Sequence, residues 1–126
     1  DLNVSAQSLL LAYDESPKAD EALYVSTYLS GQWQVPLVVV AVDEPGRAAS
    51  LVLAPAQSYL REHGVRATYV SRRGSVGDVV LQVAKEHGCA WIVMGGYGFS
   101  PMIQIVLGSA VDQVLRASRR PVLICR

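Results

Sequence analysis

Short apolar runs alternate along the chain with longer segments in which apolar residues recur at helical spacing. The runs predict five strands, at Ser8–Tyr13, Leu37–Val42, Arg66–Ser71, Ala90–Met94 and Pro121–Cys125. The second run, LVVVAV, is unbroken and rich in β-branched residues, which is typical of a strand buried on both faces. Parallel strands need crossovers of a dozen or more residues, and the helical segments supply them. The pattern therefore predicts an α/β fold with a doubly wound parallel sheet.

The first two helical segments carry start and stop signals of different strength. Ser16-Pro17 predicts a helix start, because serine caps the first turn and proline fits where no N–H is needed. Gly31 predicts the end of that helix. The next helix is expected over Ala48–His63, although Pro55 lies inside it. Since proline costs roughly 3 kcal/mol in a helix interior, we expect this helix to begin near Pro55 or to kink there.

The remaining helix boundaries are predicted from capping motifs. Ser75 with Asp78, and Ser109 with Asp112, have the spacing of a capping box with aspartate in place of glutamate. The triplet Glu-His-Gly occurs twice, at 62–64 and 86–88, where two helices should end. Histidine in a last turn followed by glycine favours ordinary capping. Two histidines without a third ligand are too few for a metal site.

Composition excludes several classes of function. The 126 residues are 51% hydrophobic and carry no formal net charge, which disfavours both disorder and general nucleic-acid binding. The longest apolar stretch has about seven residues, against the roughly 20 that a membrane-spanning helix needs. Cys89 and Cys125 are too few for a disulfide framework, and free thiols fit a reducing cytoplasm. We therefore expect one cytoplasmic domain over residues 1–126 that binds neither nucleic acid nor membrane.

Candidate chemistry lies just after the strands, because open α/β sheets bind ligands at the carboxyl ends of their strands, near the switch point. Asp14 follows the first strand, and Gly95-Gly96-Tyr97-Gly98 follows the fourth. This is neither the dinucleotide fingerprint nor a P-loop, because the first turn has no glycine and no Gly-Lys-Ser/Thr occurs. Gly95, Gly98 and Gly108-Ser109 could cradle phosphates with backbone donors. A plain loop followed by a helix cap is the alternative.

The spacing of these glycines resembles a family signature. Gly95-x2-Gly98-x9-Gly108-Ser109 is similar to the G-x2-G-x9-G-(S/T) pattern of the universal stress protein family, in its ATP-binding branch. Further segments resemble that family: Leu9–Pro17, Trp91–Gly98, Leu107–Leu115 and Pro121–Cys125. The resemblance thus covers nearly the whole chain.

The resemblance implies a three-layer fold and a nucleotide site. The family's sheet has five parallel strands in the order 3-2-1-4-5, so Asp14 would lie beside the Gly95–Gly98 loop at the switch point. The implied ligand is ATP, or else AMP or ADP, with Asp14 on the ribose or on a Mg²⁺ ion that bridges the phosphates. The implied nucleotide-binding residues are Ala12, Tyr13, Asp14, Val42, Met94, Gly95, Gly98, Gly108, Ser109 and Ala110.

Two positions depart from the family pattern. Glu15 stands where relatives often have glycine, and Phe99–Leu107 has no cation where many relatives carry arginine or lysine. A loop without cations favours a less charged ligand such as AMP. The same apolar segment supports an alternative function, a nucleotide-independent interaction module of the same fold that docks a partner on Phe99 and Met102.

The resemblance also implies how such a protein works. We expect a regulatory stress-response domain that forms a homodimer through the final strand, Val122–Cys125, because edge strands invite pairing and relatives dimerise there. We expect no enzyme, or at most slow ATP hydrolysis through Asp14, because no nucleophile and base are paired near the predicted site.

Overall fold

The computed structural model describes residues 7–96 and 110–126. Its sheet has five strands, all parallel, in the order β3-β2-β1-β4-β5. The strands are β1 Ser8–Ala12, β2 Leu37–Val42, β3 Ala67–Arg72, β4 Cys89–Gly95 and β5 Val122–Cys125. The predicted α/β class, the parallel sheet and the order 3-2-1-4-5 are therefore confirmed.

Helices cover both faces of this sheet. They are α1 Pro17–Trp33, α2 Ala49–Glu62 and α3 Val76–Glu86, followed by a helix over residues 110–117, here α4. One apolar cluster joins α1 and α2 to the sheet, and a second joins α3 and α4 to its other face. The fold is thus the expected three-layer sandwich.

The central strand β1 contributes to both clusters. All five of its residues are buried, with Leu9 and Leu11 on the α1/α2 side and Leu10 and Ala12 on the α3/α4 side. β2 is likewise buried along nearly its whole length. These two strands need apolar residues at every position, which explains their unbroken apolar runs.

Two helix boundaries differ from the prediction. α1 continues past Gly31 to Trp33, and Gln34 ends it in the left-handed conformation, with its N–H bonded to the Ser30 carbonyl. α2 begins at Ala49 and runs through Pro55, so the expected start near Pro55 is wrong. Pro55 lies on the exposed side of α2, where water can hydrate the carbonyl that proline leaves without a helical donor.

Local capping is partly as predicted. His63 and His87 are the C-caps of α2 and α3, and each is followed by a glycine with positive φ, at Gly64 and Gly88. The expected helix-ending role of both Glu-His-Gly triplets is confirmed. Ser75 caps α3 without the expected hydrogen bond to a backbone N–H, because its hydroxyl donates to the Asp78 carboxylate at 2.8 Å.

Membrane insertion finds no support in these helices. In the described ranges, no helix combines the length and the apolar character that crossing a bilayer requires.

The end of β4 packs closely against the first turn of α1. A Cβ added at Gly95 would lie 2.6 Å from the Lys18 carbonyl carbon and 2.7 Å from the Ala19 nitrogen. Backbone atoms cannot move aside as flexible side chains do, so the position requires glycine. The first turn of α1 and the last residue of β4 are thereby held in direct contact.

We expect Gly95→Ala to lower the free energy of unfolding by about 1–3 kcal/mol, because the added methyl group overpacks this contact. Gly31→Ala is the matched control, since a Cβ there meets nothing within 4 Å and Gly31 lies inside α1. It should raise the free energy of unfolding by roughly 0.5–1 kcal/mol, the usual gain for alanine over glycine in a helix. Urea unfolding of both variants checks the pair, and equal effects would contradict the close packing at Gly95.

Candidate functional site

A cleft opens at the carboxyl edge of the sheet, where the strand order reverses between β1 and β4. It encloses about 630 Å³, part of it open to solvent. Its floor is formed by residues that pair across three neighbouring strands. Val40 of β2 pairs with Ala12 of β1, and Ala12 pairs with Met94 of β4. The described lining residues are Ala12, Tyr13, Asp14, Ser16, Ala19, Val40, Ala41, Val42, Glu44, Val76, Val80, Met94, Gly95 and Ala110.

Seven of the ten predicted site residues line this cleft. They are Ala12, Tyr13, Asp14, Val42, Met94, Gly95 and Ala110. The other three, Gly98, Gly108 and Ser109, lie outside the described residues. The structure thus brings together positions that are almost 100 residues apart in sequence, while their contacts with a ligand stay a prediction.

The sequence reasoning missed several lining residues. Val76 and Val80 come from α3, and they lie one helical turn apart on the face that packs against the sheet. Ser16 and Ala19 come from the first turn of α1, which approaches the cleft because it packs against Gly95. An apolar pair at i and i+4 signals a buried helix face, but it does not show that the face reaches a cleft.

Asp14 is held in a defined orientation at the end of β1. Its Oδ1 accepts a hydrogen bond from the Ser16 backbone N–H at 2.9 Å, which closes an Asx turn. In the described part of the chain, its Oδ2 has no hydrogen-bond partner. The carboxylate is therefore oriented by one oxygen and can accept a hydrogen bond or bind a cation through the other.

Glu15, the next residue, adopts a backbone conformation that glycine prefers. Its φ is 66°, in the left-handed region. This explains physically why glycine would suit the position. Glu15 instead forms an ion pair with Arg47 of the loop after β2.

Tyr13 links the floor of the cleft to the start of α1. Its hydroxyl donates a hydrogen bond to the Asp20 carboxylate at 2.6 Å, and its side chain is buried. Burial, and then the hydrogen bond to Asp20, raise the pKa of Tyr13 above its ordinary value. The pair fixes α1 against the end of β1, since Asp20 lies in the first turn of that helix.

The loop after β2 is tied down by Asp43. Its Oδ1 accepts a hydrogen bond from the Ala49 N–H at 2.7 Å and so satisfies a donor at the N-terminus of α2. Its Oδ2 lies 3.4 Å from the Arg73 guanidinium. Asp43 directly follows β2 at the carboxyl edge of the sheet, but it does not line the cleft and instead supports the loop beside it.

The described walls of the cleft carry negative charge. Asp14 and Glu44 contribute carboxylates, and none of the described lining residues is lysine or arginine. Metal binding by protein groups alone has little support, because no group of three or more His, Cys, Asp or Glu residues is close enough in the described ranges.

Comparison with known proteins identifies the family. The family model described as "Universal stress protein family" matches residues 46–126. The chain belongs to the universal stress protein family. Universal stress protein YxiE of Bacillus subtilis is 32% identical over 108 residues, which cover 84% of this chain and 73% of YxiE. A solved universal stress protein from Burkholderia pseudomallei is 27% identical with a TM-score of 0.71, and the match covers 95% of this chain and 96% of that one.

Three solved structures of the same fold contain adenine nucleotides. A universal stress protein from Archaeoglobus fulgidus is in complex with dAMP (23% identity, TM-score 0.74, 98% and 99% of the two chains). Another universal stress protein is in complex with cAMP (21% identity, TM-score 0.79, 95% and 96%). A family protein from Arabidopsis thaliana has AMP bound (14% identity, TM-score 0.71, 94% and 89%). Because these three proteins are each less than 25% identical to this universal stress protein, their similarity shows only that the chains share a fold.

We expect the stability of the protein to fall at alkaline pH partly through Tyr13. The folded state holds the Tyr13 proton to higher pH than the unfolded state does, so its contribution is complete below pH about 10 and is lost as the pH rises further. Between pH 9 and pH 11, wild type should lose about 1 kcal/mol more unfolding free energy than Tyr13→Phe.

Urea unfolding at a series of pH values measures this difference. Tyr28→Phe is the control, because Tyr28 is 65% exposed and should leave the wild-type profile unchanged. Parallel profiles for wild type and Tyr13→Phe would contradict the expectation.

Proposed function

We propose that this chain is a regulatory stress-response domain that binds an adenine nucleotide in the cleft. The observation that carries the proposal is the cleft itself, which gathers Asp14, Gly95 and an apolar floor at the switch point between β1 and β4. Nucleotides bind at this place in open α/β sheets. The complexes of structurally similar family members with dAMP, cAMP and AMP support the same class of ligand.

The lining residues suit the separate parts of a nucleotide. Val42, Val80 and Met94 offer apolar surface to a flat purine, and backbone groups at Val42 can reach the adenine edge. Asp14 can accept hydrogen bonds from ribose hydroxyls. The phosphates would lie against Gly95 and Ala110 and against Gly98, Gly108 and Ser109, which are outside the described residues.

The charge of the site favours AMP over free ATP. Asp14 and Glu44 repel phosphates, and the described lining and residues 99–107 supply no lysine or arginine. ATP would bind as its Mg²⁺ complex, with the ion held between Asp14 and the phosphates. A Mg²⁺ ion supplies charge neutralisation there.

We propose that the bound nucleotide is a signal rather than a substrate. Neither histidine lies at the carboxyl edge, because His63 and His87 end α2 and α3 at the opposite edge of the sheet. In the described part of the cleft, no cysteine or histidine is present to act as nucleophile or base. Slow ATP hydrolysis through Asp14 and a metal ion is the most that this arrangement supports.

The first test is mass spectrometry of the small molecules released when the purified protein is denatured. We expect an adenine nucleotide, and its phosphate count distinguishes AMP from ADP and ATP. If the protein is purified empty, AMP or ATP with Mg²⁺ should raise its melting temperature, since a ligand that binds only the folded state stabilises it. No released nucleotide together with a flat thermal response would overturn the proposal.

Asp14→Asn tests the role of the carboxylate within the same assay. Asparagine keeps an oxygen that can accept the Ser16 hydrogen bond, so the turn should survive while the charge is lost. We expect the gain in ATP affinity on adding Mg²⁺ to fall about tenfold, or roughly 1.4 kcal/mol. The control is Glu62→Gln, which removes an equal charge from the exposed last residue of α2, at the opposite edge of the sheet, and should leave that gain unchanged.

The alternative function, a nucleotide-independent interaction module, is favoured by the sequence of residues 99–107. That segment has nine residues without a cation, and it lies outside the described residues. A flat nucleotide response would favour this function. Replacement of Phe99 and Met102 by serine should then abolish partner binding while the fold is kept.

We further propose a cytoplasmic homodimer that pairs through β5. This strand lies at the sheet edge, and all four of its side chains are only half-buried. The Cys125 carbonyl accepts a hydrogen bond at 2.6 Å from the N–H of Gly96, the residue after β4. Backbone groups of a strand point alternately to its two sides, so other N–H and C=O groups of β5 face the open edge of the sheet. The free thiols Cys89 and Cys125 fit a reducing compartment.

Sedimentation equilibrium should give twice the 13.6 kDa mass of the chain. Val122→Lys should shift the protein toward monomer, because a charged side chain on an edge strand opposes pairing. Leu115→Lys is the control, since Leu115 is an exposed leucine of α4 and should leave the dimer intact. A wild-type mass of one chain at all concentrations would contradict the dimer.

A further inference from the structure

One ion pair joins two loops that line the cleft. Arg47, in the loop after β2, pairs with Glu15, in the turn between β1 and α1. Glu15 directly follows the lining residue Asp14. Neither Glu15 nor Arg47 lines the cleft itself, so the pair lies beside the site and connects its walls.

The Arg47 end of this link is rigidly attached to the cleft. Glu44 and Arg47 exchange two backbone hydrogen bonds, of 3.0 and 2.9 Å, which form an isolated antiparallel bridge. Glu44 lines the cleft, and β2 ends only two residues before it. Movement of the Arg47 backbone therefore moves the wall formed by Glu44.

The Glu15 end is held in an unfavourable conformation. A φ of 66° is accessible to glycine at little cost, whereas a glutamate pays for it in steric strain. The Asx turn of Asp14 closes over the same residue by bonding to the Ser16 N–H. A strained residue persists where the surrounding contacts over-determine it, and here those contacts are the Asx turn and the ion pair with Arg47.

We propose that the Glu15–Arg47 pair is a strap that holds the Asp14 and Glu44 walls at the spacing required by a bound adenine nucleotide. Both are positioning residues, which act through Asp14 and Glu44 without touching the ligand. The inference rests on the proposed function, since it concerns how that same cleft holds its nucleotide.

The rival explanation is that the two charges act only through their long-range field on the phosphates. The field and the strap make opposite predictions for one variant. Removing the negative charge of Glu15 should strengthen AMP binding through the field, whereas it should weaken AMP binding if the strap is lost. Removing the charge of Arg47 weakens binding in both cases, so Glu15→Met, which removes both the charge and the oxygen that accepts the Arg47 hydrogen bond, is the deciding variant.

The experiment titrates AMP into wild type, Glu15→Met, Arg47→Gln and the double variant by calorimetry. We expect each single variant to raise the Kd about threefold, in the range typical of exposed ion pairs. The double variant should be no weaker than either single variant, because the same link is lost in all three. The charge-exchanged protein, with Glu15→Arg and Arg47→Glu, should recover AMP affinity to within about twofold of wild type.

Two further variants separate positioning from stability. Glu15→Gly relaxes the backbone, so its melting temperature without ligand should equal or exceed that of Glu15→Met, yet its AMP affinity should be equally reduced. Arg116→Gln removes an arginine from the exposed pair with Asp112 on α4, and it should leave AMP affinity unchanged.

The outcomes distinguish the two proposals. If wild type binds AMP and Glu15→Met binds it as tightly or more tightly, the strap is overturned and the nucleotide site stands. Additive losses in the double variant, or no recovery on charge exchange, also overturn the strap. If wild type binds neither AMP nor ATP with Mg²⁺, the proposed function fails and the strap fails with it.

Discussion

The central position of β1 is the constraint on which the rest of the structure depends. It pairs with β2 on one side and β4 on the other, and all of its residues are buried. The chain therefore adds β2 and β3 on one side of β1, then returns and adds β4 and β5 on the other side. That reversal separates the loops after β1 and β4, and the cleft lies where they diverge.

The cleft combines an apolar floor with acidic walls, and this combination determines which ligands it suits. Its floor is one rung of the sheet on the α3/α4 side, completed by valines from α3. Apolar surface of this kind receives a purine, while carboxylates such as Asp14 favour hydroxyl groups and cations over bare phosphates. If the proposed nucleotide binds here, its purine would lie on the apolar floor, and the charge of the walls would act on its phosphates.

Most of the fold could be predicted because its signals are local. Apolar runs marked four of the strands, and alternation over Arg66–Ser71 marked β3. The Ser16-Pro17 and Glu-His-Gly motifs marked helix ends, since capping depends on a few neighbouring residues. Two local signals misled. Gly31 does not end α1, which continues to Trp33, whose ring lies 5.3 Å from the ring of Trp91. Pro55 does not begin α2, because Val52 and Leu53 before it are buried against the sheet and extend the helix.

The sequence by itself determined the alternation of strands and helices, the fold class and the residues that follow each strand. The strand order came from the family resemblance, since periodicity alone does not say which strands are neighbours. Only the tertiary structure decided that Val76, Val80 and Glu44 line the cleft and that Arg47 pairs with Glu15, 32 residues away. The physical reason is that capping and periodicity act within a few residues, whereas these contacts exist only after the sheet has brought distant loops to one edge.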